Sequence, residues 1–299
     1  MVKHFEALVA LAKARSPKKV AVAGAGDIDV LLSIKMALDE KIIDPILVGD
    51  QELIKNIAKE IDLDLENVEI IDQKDKILAT RYATKLVSTG KANILMKGLI
   101  NTSIIMKQVL DKEIGLRTEK LISHIAIFEI ASYHKMFFLT DAAMNIAPNL
   151  EQKKQIIENA VDFLKYLNIK NPKVAILAAK EKISNKMEAT VHAGKLAQMN
   201  KNGEIKDCIV DGPFALDNAV SKKSAKIKGI ESEVAGDADI LLAPDIEAGN
   251  ILYKSLTFLG GAQSAGIIIG TKAPIILTSR ADSELAKLNS IVLATLMVN

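Results

Sequence analysis

The sequence predicts an α/β protein built from two α/β/α domains with largely parallel sheets. Short apolar runs rich in β-branched residues alternate along the chain with longer segments of helical periodicity. The apolar runs lack the in–out alternation of a half-exposed sheet, as expected when helices cover both faces of a parallel sheet. Strand–helix alternation also implies right-handed crossover connections. The rhythm starts again after residue 140, which indicates a second domain.

In the first part of the chain, strand patterns precede helical patterns four times. The strands read KVAVAG (19–24), PILVGD (45–50), VEIID (68–72) and ANILMKG (92–98). The helical segments after them read DVLLSIKMALDE, QELIKNIAKEI, KILATRYATKLVS and TSIIMKQVLD. ISHIAIFEI and KMFFLT then predict a further pair of strands.

The second part repeats this order after a helix near 150–167. Its strands read KVAILAA (173–179), DCIVDG (207–212) and ADILLAP (238–244), followed by AGIIIG, APIILT and a final helix. We therefore expect a first domain of residues 1–139 plus 278–299 and a second domain of residues 140–277.

Composition excludes several classes of function. The 299 residues carry 39 basic and 37 acidic side chains, a net charge of +2 that favours neither nucleic acid nor an anionic membrane as a partner. The apolar stretches GIIIG and SIVLATLMV are too short to span a bilayer. The first residues predict an amphipathic helix rather than a signal peptide. We expect a cytoplasmic protein.

The segment VAGAGDIDV resembles a dinucleotide-binding loop but lacks part of it. Gly24 and Gly26 follow a strand, whereas the third glycine of that motif is replaced by Asp29. A tight turn with Asp27 near the helix start is the preferred interpretation.

Histidine and cysteine positions give no metal site. His4, His124, His134 and His192 are not at ligand spacing from one another or from Cys208. Cys208 is the one cysteine, so an internal disulfide is excluded, and its apolar neighbours predict a buried small hydrophobe.

The segment MKGLINTSIIMKQVL places polar residues where a strand ends and a helix begins. Lys97 and Gly98 end the strand, and Asn101, Thr102 and Ser103 open the helix. Ligands of α/β proteins bind beyond the carboxyl ends of strands, and a helix N-terminus there favours an anion. We therefore expect these residues to contact substrate.

Further strand-end segments share this design, and together they predict one shared cleft. Glycine in such a loop lets the backbone turn or approach a ligand closely. The candidate binding residues in these segments are Asp211, Gly212, Pro213, Asn250, Tyr253, Lys254, Gly260 and Gly261, and the last strand ends at Ser279 and Arg280.

The segment GNILYKSLTFLGGAQSAGIIIGTKAPIILTSRADS resembles the phosphate acetyl/butyryltransferase family, as do MKGLINTS, LTDAAMNIAPNLEQK and DGPFALDNA. The likeness covers nearly the whole chain, and TSRADS and KGLINTS resemble the butyryl branch. It implies a fold like that of isocitrate and isopropylmalate dehydrogenases, with the active site in the interdomain cleft. It also implies reversible acyl transfer between CoA and orthophosphate, no redox cofactor, and a homodimer or larger homo-oligomer.

The resemblance also implies roles for individual residues. Ser279 would donate a hydrogen bond to the developing charge, and Arg280 would hold phosphate. Lys107 lies near the place of a substrate-cleft arginine in the acetyl branch. No activated nucleophile is visible, so we expect direct attack of phosphate on the thioester.

The general base stays open at this point. In the acetyl branch an aspartate follows the serine by seven residues, and that position is Ala286 here. The nearby acids are Asp282 and Glu284. Three alternatives to a butyryltransferase also stay open: an acetyl-preferring enzyme, a dehydrogenase on the related fold, and a non-catalytic CoA- or acyl-phosphate-binding regulator.

Overall fold

The computed structural model describes residues 4–279 and 281–298, which form two compact units. The central unit contains His4 and Leu121–Ser264, and the flanking unit contains Phe5–Lys120 and residues 265–298. Each unit has an α/β fold around a mostly parallel mixed sheet. Among the helices in the described ranges, none has the length and apolar character that crossing a membrane requires.

The flanking unit has its strands in the order β3-β2-β1-β4-β11-β10. Neighbouring strands are parallel except β10 and β11, which are antiparallel. The strands are β1 (Lys18–Ala23), β2 (Ile43–Gly49), β3 (Glu69–Asp72), β4 (Ile94–Lys97), β10 (Gln263–Ile269) and β11 (Ile275–Ile276). Its helices are α1 (Phe5–Lys13), α2 (Ile28–Asp39), α3 (Gln51–Glu60), α4 (Lys76–Ser88), α5 (Thr102–Val109) and α11 (Glu284–Leu296).

The central unit has its strands in the order β5-β6-β9-β7-β8, and only β5 and β6 are antiparallel. The strands are β5 (Ser123–Glu129), β6 (Phe137–Thr140), β7 (Lys173–Leu177), β8 (Ile209–Phe214) and β9 (Ile240–Leu242). The helices are α6 (Leu150–Tyr166), α7 (Glu188–Lys201), α8 (Leu216–Val220), α9 (Lys222–Ile227) and α10 (Ile246–Lys254), with a π-helical segment at Ser255–Leu259.

The helices of the flanking unit begin at side-chain caps that the sequence supplies. The carboxylates of Asp27, Asp50 and Asp75 accept backbone N–H groups at the starts of α2, α3 and α4. Such caps satisfy donors that have no partner inside the helix. Gly24 takes a positive φ of 70° in the turn before Asp27, so the tight-turn interpretation of VAGAGDIDV is confirmed.

The two units divide at 120/121 and 264/265, not at the expected 139/140 and 277/278. Residues 121–139 lie in the central unit because β5 pairs with β6. Residues 265–277 lie in the flanking unit because β10 pairs with β11, and β11 pairs with β4. Apolar periodicity identifies these strands, but it does not identify their partners.

An ionic cluster joins the start of β6 to the starts of β7 and β9. Asp237 accepts hydrogen bonds from Lys173 at 2.6 Å and His134 at 2.8 Å, and Lys135 donates to Asp239 at 2.6 Å. Burial raises the pKa of Asp237, but hydrogen bonds from Lys173, His134 and Lys135 outweigh it and bring that pKa well below its ordinary value.

Candidate active site

Two of the polar loops lie side by side at one edge of the flanking sheet. Strands β4 and β11 are parallel neighbours, with Met96 opposite Ile276. Lys97 ends β4, and Ser279 follows β11 three residues after Ile276. The parallel register therefore brings the Lys97 loop and the Ser279 turn to the same carboxyl edge, where α/β proteins bind ligands.

The turn at Ser279 is held by Asp282. The Asp282 carboxylate accepts the Ser279 backbone N–H at 2.7 Å, and the Asp282 N–H lies 3.3 Å from the Ser279 carbonyl oxygen. The Ser279 hydroxyl accepts the Ala281 N–H at 3.3 Å. This turn fixes the backbone that presents Ser279. Arg280, expected to hold phosphate, lies outside the described residues.

A buried lysine supports the same turn. Lys287, on α11, donates a hydrogen bond from its ammonium group to the Asp282 carbonyl oxygen. Its Nζ also lies 4.0 Å from a carboxylate oxygen of Asp29. Sequence reasoning missed Lys287, although a lone lysine among the apolar residues of the last helix was a visible signal.

The two acids left open as general base differ in environment. Asp282 is only 4% exposed and already accepts the Ser279 N–H. Glu284 lies exposed in the first turn of α11, while Ala286 is buried. The Asp282 carboxylate is therefore already engaged in holding the backbone of the turn. The geometry thus gives Asp282 a positioning task.

The loop after β4 is tightly packed. Lys97 is buried, and its Nζ lies 3.3 Å from the carbonyl oxygens of both Gly98 and Ile100. A Cβ on Gly98 would lie 2.2 Å from the Gly24 carbonyl oxygen, so no larger residue fits there. Gly98 therefore has a packing role in the loop, whatever its contact with substrate.

Helix α5 presents polar groups beside this loop. Asn101 caps the helix through its backbone, with no side-chain hydrogen bond to the helix N–H groups. Asn101, Thr102 and Lys107 are all exposed. These positions suit contact with a dissolved anion, since the helix start carries a partial positive charge.

In the central unit, α10 presents the candidates that follow β9. The Asn250 amide donates to the Ala142 carbonyl oxygen at 3.1 Å. The Tyr253 ring packs edge-on against Phe128, with ring centroids 5.3 Å apart. Tyr253 is thus half-buried in the core of this unit. Lys254 is exposed, with its Nζ 5.8 Å from the centroid of a phenylalanine ring.

The glycines expected to approach a ligand have different surroundings. Gly212 donates its N–H to the Asp211 carboxylate at 2.8 Å, and a Cβ on it would lie 2.9 Å from the Ile176 side chain. Pro213, the next residue, is buried. At Gly260 a Cβ would lie 2.8 Å from a backbone oxygen. Gly261 has a φ of 64° with open space around it, so the turn itself requires glycine.

Sequence reasoning also missed a buried polar turn after β6. The Asp141 carboxylate accepts the N–H groups of Ala143 and Met144, each at 2.8 Å, and the Asn145 amide at 2.6 Å. It also accepts the His124 backbone N–H at 3.1 Å. Burial lowers the pKa of His124 despite the nearby Asp141 charge, so its ring is neutral at pH 7. The fragment LTDAAMN was the available signal.

The described part of the chain contains no group of three or more histidine, cysteine or acidic side chains that could hold a metal ion. Cys208 is buried, and burial raises its pKa to about 12. A thiol with that pKa is protonated at neutral pH and is a poor nucleophile.

Comparison with known proteins gives consistent matches. Residues 4–82 and 76–295 match the family described as phosphate acetyl/butaryl transferase. A phosphate butyryltransferase of Clostridium beijerinckii is 49% identical over 99% of this chain and 98% of its own length. A phosphate acetyltransferase of Thermotoga maritima is 46% identical over 97% of this chain and 98% of its own. The crystal structure of a branched-chain phosphotransacylase from Enterococcus faecalis superposes with a TM-score of 0.84 at 35% identity, covering 94% of this chain and 100% of that one.

Proposed function

Because the chain belongs to the phosphate acetyl/butaryl transferase family, and is therefore an acyltransferase, we propose that its preferred reaction is the reversible conversion of butyryl-CoA and phosphate to butyryl phosphate and CoA. The single observation that carries the site assignment is the adjacency of the Lys97 loop and the Ser279 turn at one carboxyl edge of the flanking sheet. A rigid strand end is where an oxyanion donor and a cation act best, because little reorganisation is needed during reaction.

In the proposed forward reaction, a phosphate oxygen attacks the thioester carbon and forms a tetrahedral intermediate. The Ser279 hydroxyl donates a hydrogen bond to the oxygen that becomes negative, and Arg280 binds phosphate through two parallel hydrogen bonds. The C–S bond then breaks, and the CoA sulfur leaves as a thiolate that takes a proton. In reverse, the thiolate attacks the acyl phosphate and phosphate leaves.

Asp282 and Lys287 position the turn at Ser279. Proximity of the two substrates supplies much of the rate acceleration. Correct placement of two reactants can contribute about 7–11 kcal/mol. Positive charge at the site also increases the thiolate fraction of CoA, because a cation lowers the pKa of a nearby thiol. The proposal therefore needs no dedicated base at the position of Ala286.

Several further features of the proposal rest on the resemblance to the family and not on the geometry of the described residues. They are the likeness to isocitrate and isopropylmalate dehydrogenases, the active site in a cleft between two domains, the cytoplasmic location and the homo-oligomer. The same holds for substrate contacts by the candidate residues of the central unit. Asn250 and Tyr253 make packing contacts of their own, so their contribution to binding needs a direct test.

The test is phosphate-dependent release of free thiol from acyl-CoA substrates of increasing chain length. We expect the highest kcat/KM with butyryl-CoA. A relative named phosphate acetyltransferase at 46% identity supports the alternative, and a maximum with acetyl-CoA would establish it. CoA binding without phosphate-dependent thiol release would instead indicate a non-catalytic regulator.

The assignment of Arg280 is tested by Arg280→Lys, which keeps the charge but loses the planar fork. We expect a large rise in the KM for phosphate. The matched control is Arg81→Lys, at a partly exposed arginine on α4 that pairs with Asp111 and Glu113. Equal phosphate dependence in the two variants would remove Arg280 from the phosphate site.

A further inference from the structure

Buried Lys153 and partly buried His192 form a basic pair in the central unit that the reaction above does not use. The Lys153 Nζ lies 3.1 Å from the His192 Nδ1. Lys153 is in the first turns of α6, and His192 is in the first turns of α7. These helices follow β6 and β7, which are parallel to β9 between them, so both begin at the carboxyl edge of the sheet. The pair therefore lies at the ligand-binding edge of its own unit.

The positive charge of this pair is poorly compensated. Lys153 is 4% exposed, yet within the described ranges no carboxylate is close enough to form an ion pair with it. Glu188 and Asp245 act on its charge only at longer range. The Glu188 carboxylate is 3.8 Å from the His192 Nε2, but its side chain is 84% exposed and is screened by water. A buried cation without a counterion is unfavourable unless something supplies the opposite charge.

In the hydrogen bond between Lys153 and His192, the positive charge is on the lysine. Burial lowers the pKa of His192, and the Lys153 charge lowers it further, so the ring is neutral at pH 7 and accepts from the lysine. Burial also lowers the pKa of Lys153. The capping box of Asn149 and Gln152 already engages the start of α6, so the attraction for an anion comes from the lysine side chain.

The neighbouring loop adds to the positive field. The segment between β7 and α7 carries three exposed lysines, Lys180, Lys182 and Lys186. Its acid Glu181 lies 3.7 Å from the ammonium group of Lys228, outside the loop. Exposed lysines attract an anion over several ångströms, and a buried lysine can then fix it in place.

We propose that Lys153 and His192 form a binding subsite for a phosphate group, which under the proposed function is a phosphate of CoA. Lys153 donates to a phosphate oxygen, and His192 holds the ammonium group in position. The exposed lysines of the adjoining loop guide the phosphate to the pair. Orthophosphate has the same chemistry and is the other source of such a group.

The test compares Lys153→Met with Lys154→Met. Both remove one lysine from the same helix, but Lys154 pairs with Glu158 at 4.0 Å and takes no part in the subsite. The KM is measured for butyryl-CoA, for butyryl 3′-dephospho-CoA and for orthophosphate. We expect Lys153→Met to raise the KM for butyryl-CoA about tenfold, which corresponds to loss of one charge-assisted contact, and Lys154→Met to leave it unchanged.

The substrate comparison identifies the group that is bound. A tenfold effect that disappears with the dephospho substrate assigns the 3′-phosphate, and one that persists assigns the pyrophosphate. A rise confined to the KM for orthophosphate supports the subsite and assigns it to that substrate. The proposal is overturned if, for each of the three substrates, Lys153→Met has the same KM as Lys154→Met.

A binding readout separates this proposal from the proposed function. CoA should raise the thermal unfolding temperature of the wild type more than that of Lys153→Met, and this holds even if no thiol is released from butyryl-CoA. If Lys153→Met does not fold, Lys153→Gln repeats the comparison, because it keeps a polar group without the charge. The subsite is contradicted if wild type and the Lys153 variant show the same shift with CoA and also the same shift with orthophosphate, whatever the enzymatic result.

Discussion

Substitution of Asp282 tests whether its carboxylate positions the Ser279 turn or acts as the catalytic base. Asp282 is buried, and its carboxylate accepts the Ser279 N–H at 2.7 Å. A hydrogen bond to a charged group contributes about 1.5–3 kcal/mol, and an N–H left without its acceptor costs a similar amount. We therefore expect Asp282→Ala to lower the free energy of unfolding by about 2 kcal/mol.

The effect on turnover follows from Ser279. Loss of one oxyanion donor lowers kcat by about 10²–10³-fold. A loosened turn misplaces the Ser279 hydroxyl without removing it, so Asp282→Ala should lower kcat by about 10- to 100-fold. Asp282→Asn keeps an oxygen acceptor for the same N–H. Its kcat should stay within about threefold of the wild-type value, because only the charge-assisted part of this hydrogen bond is lost.

The assay is phosphate-dependent thiol release from butyryl-CoA, together with denaturant unfolding of each variant. Glu284→Gln is the control, because it removes an exposed carboxylate at the start of α11, two residues after Asp282. Wild-type stability and turnover in Asp282→Ala would refute the positioning role. If Asp282→Asn is instead as slow as Asp282→Ala while its stability is intact, the carboxylate itself transfers the proton.

Four further outcomes can be checked on the same protein. Ser279→Ala should lower kcat by about 100-fold with little change in KM; an unchanged kcat would make Ser279 structural. Gly98→Ala should destabilise the fold by about 1–3 kcal/mol or more in denaturant unfolding, because its Cβ would meet the Gly24 carbonyl oxygen at 2.2 Å. Asp237 has a folded pKa below its unfolded value of about 3.9, so its stabilisation is present above about pH 4 and is lost as the pH falls further. Asp237→Asn should therefore be destabilised at pH 7, and the difference from wild type should shrink in acid unfolding curves. Cys208, with a pKa of about 12, should not react with a thiol reagent until the protein is unfolded, and rapid labelling of the native protein would contradict its burial.

The features predicted from the sequence are those that local patterns encode. Strand β4 reads as a continuous apolar run, and all four of its residues are buried. Asp27 stands just before a helical pattern, and it caps α2. The Lys97 and Ser279 loops were placed at strand ends because a buried strand is followed there by polar residues. Their adjacency then follows from the parallel pairing of β4 and β11.

The features not predicted depend on contacts between distant segments. Tyr253 has the polar neighbours typical of a binding helix, yet its ring packs on Phe128, more than a hundred residues earlier in the chain. Lys153 resembles a surface lysine in the sequence, and only the fold shows that it is buried. The unit boundaries were misplaced for the same reason, because antiparallel pairing of β10 with β11 leaves no periodic signal.

The pairing of β11 with β4 has a consequence for folding during translation. The ribosome makes residues 5–120 first, but this segment lacks β11 and α11, which contact β4 and α2 in the finished protein. At Leu95 and Met96, one edge of β4 therefore has no partner strand while about 150 further residues are synthesised. An unpaired strand edge promotes aggregation. Strands β5 to β9, within residues 121–264, can pair with one another before that gap is closed, so the edge of β4 stays unpaired after later strands have paired.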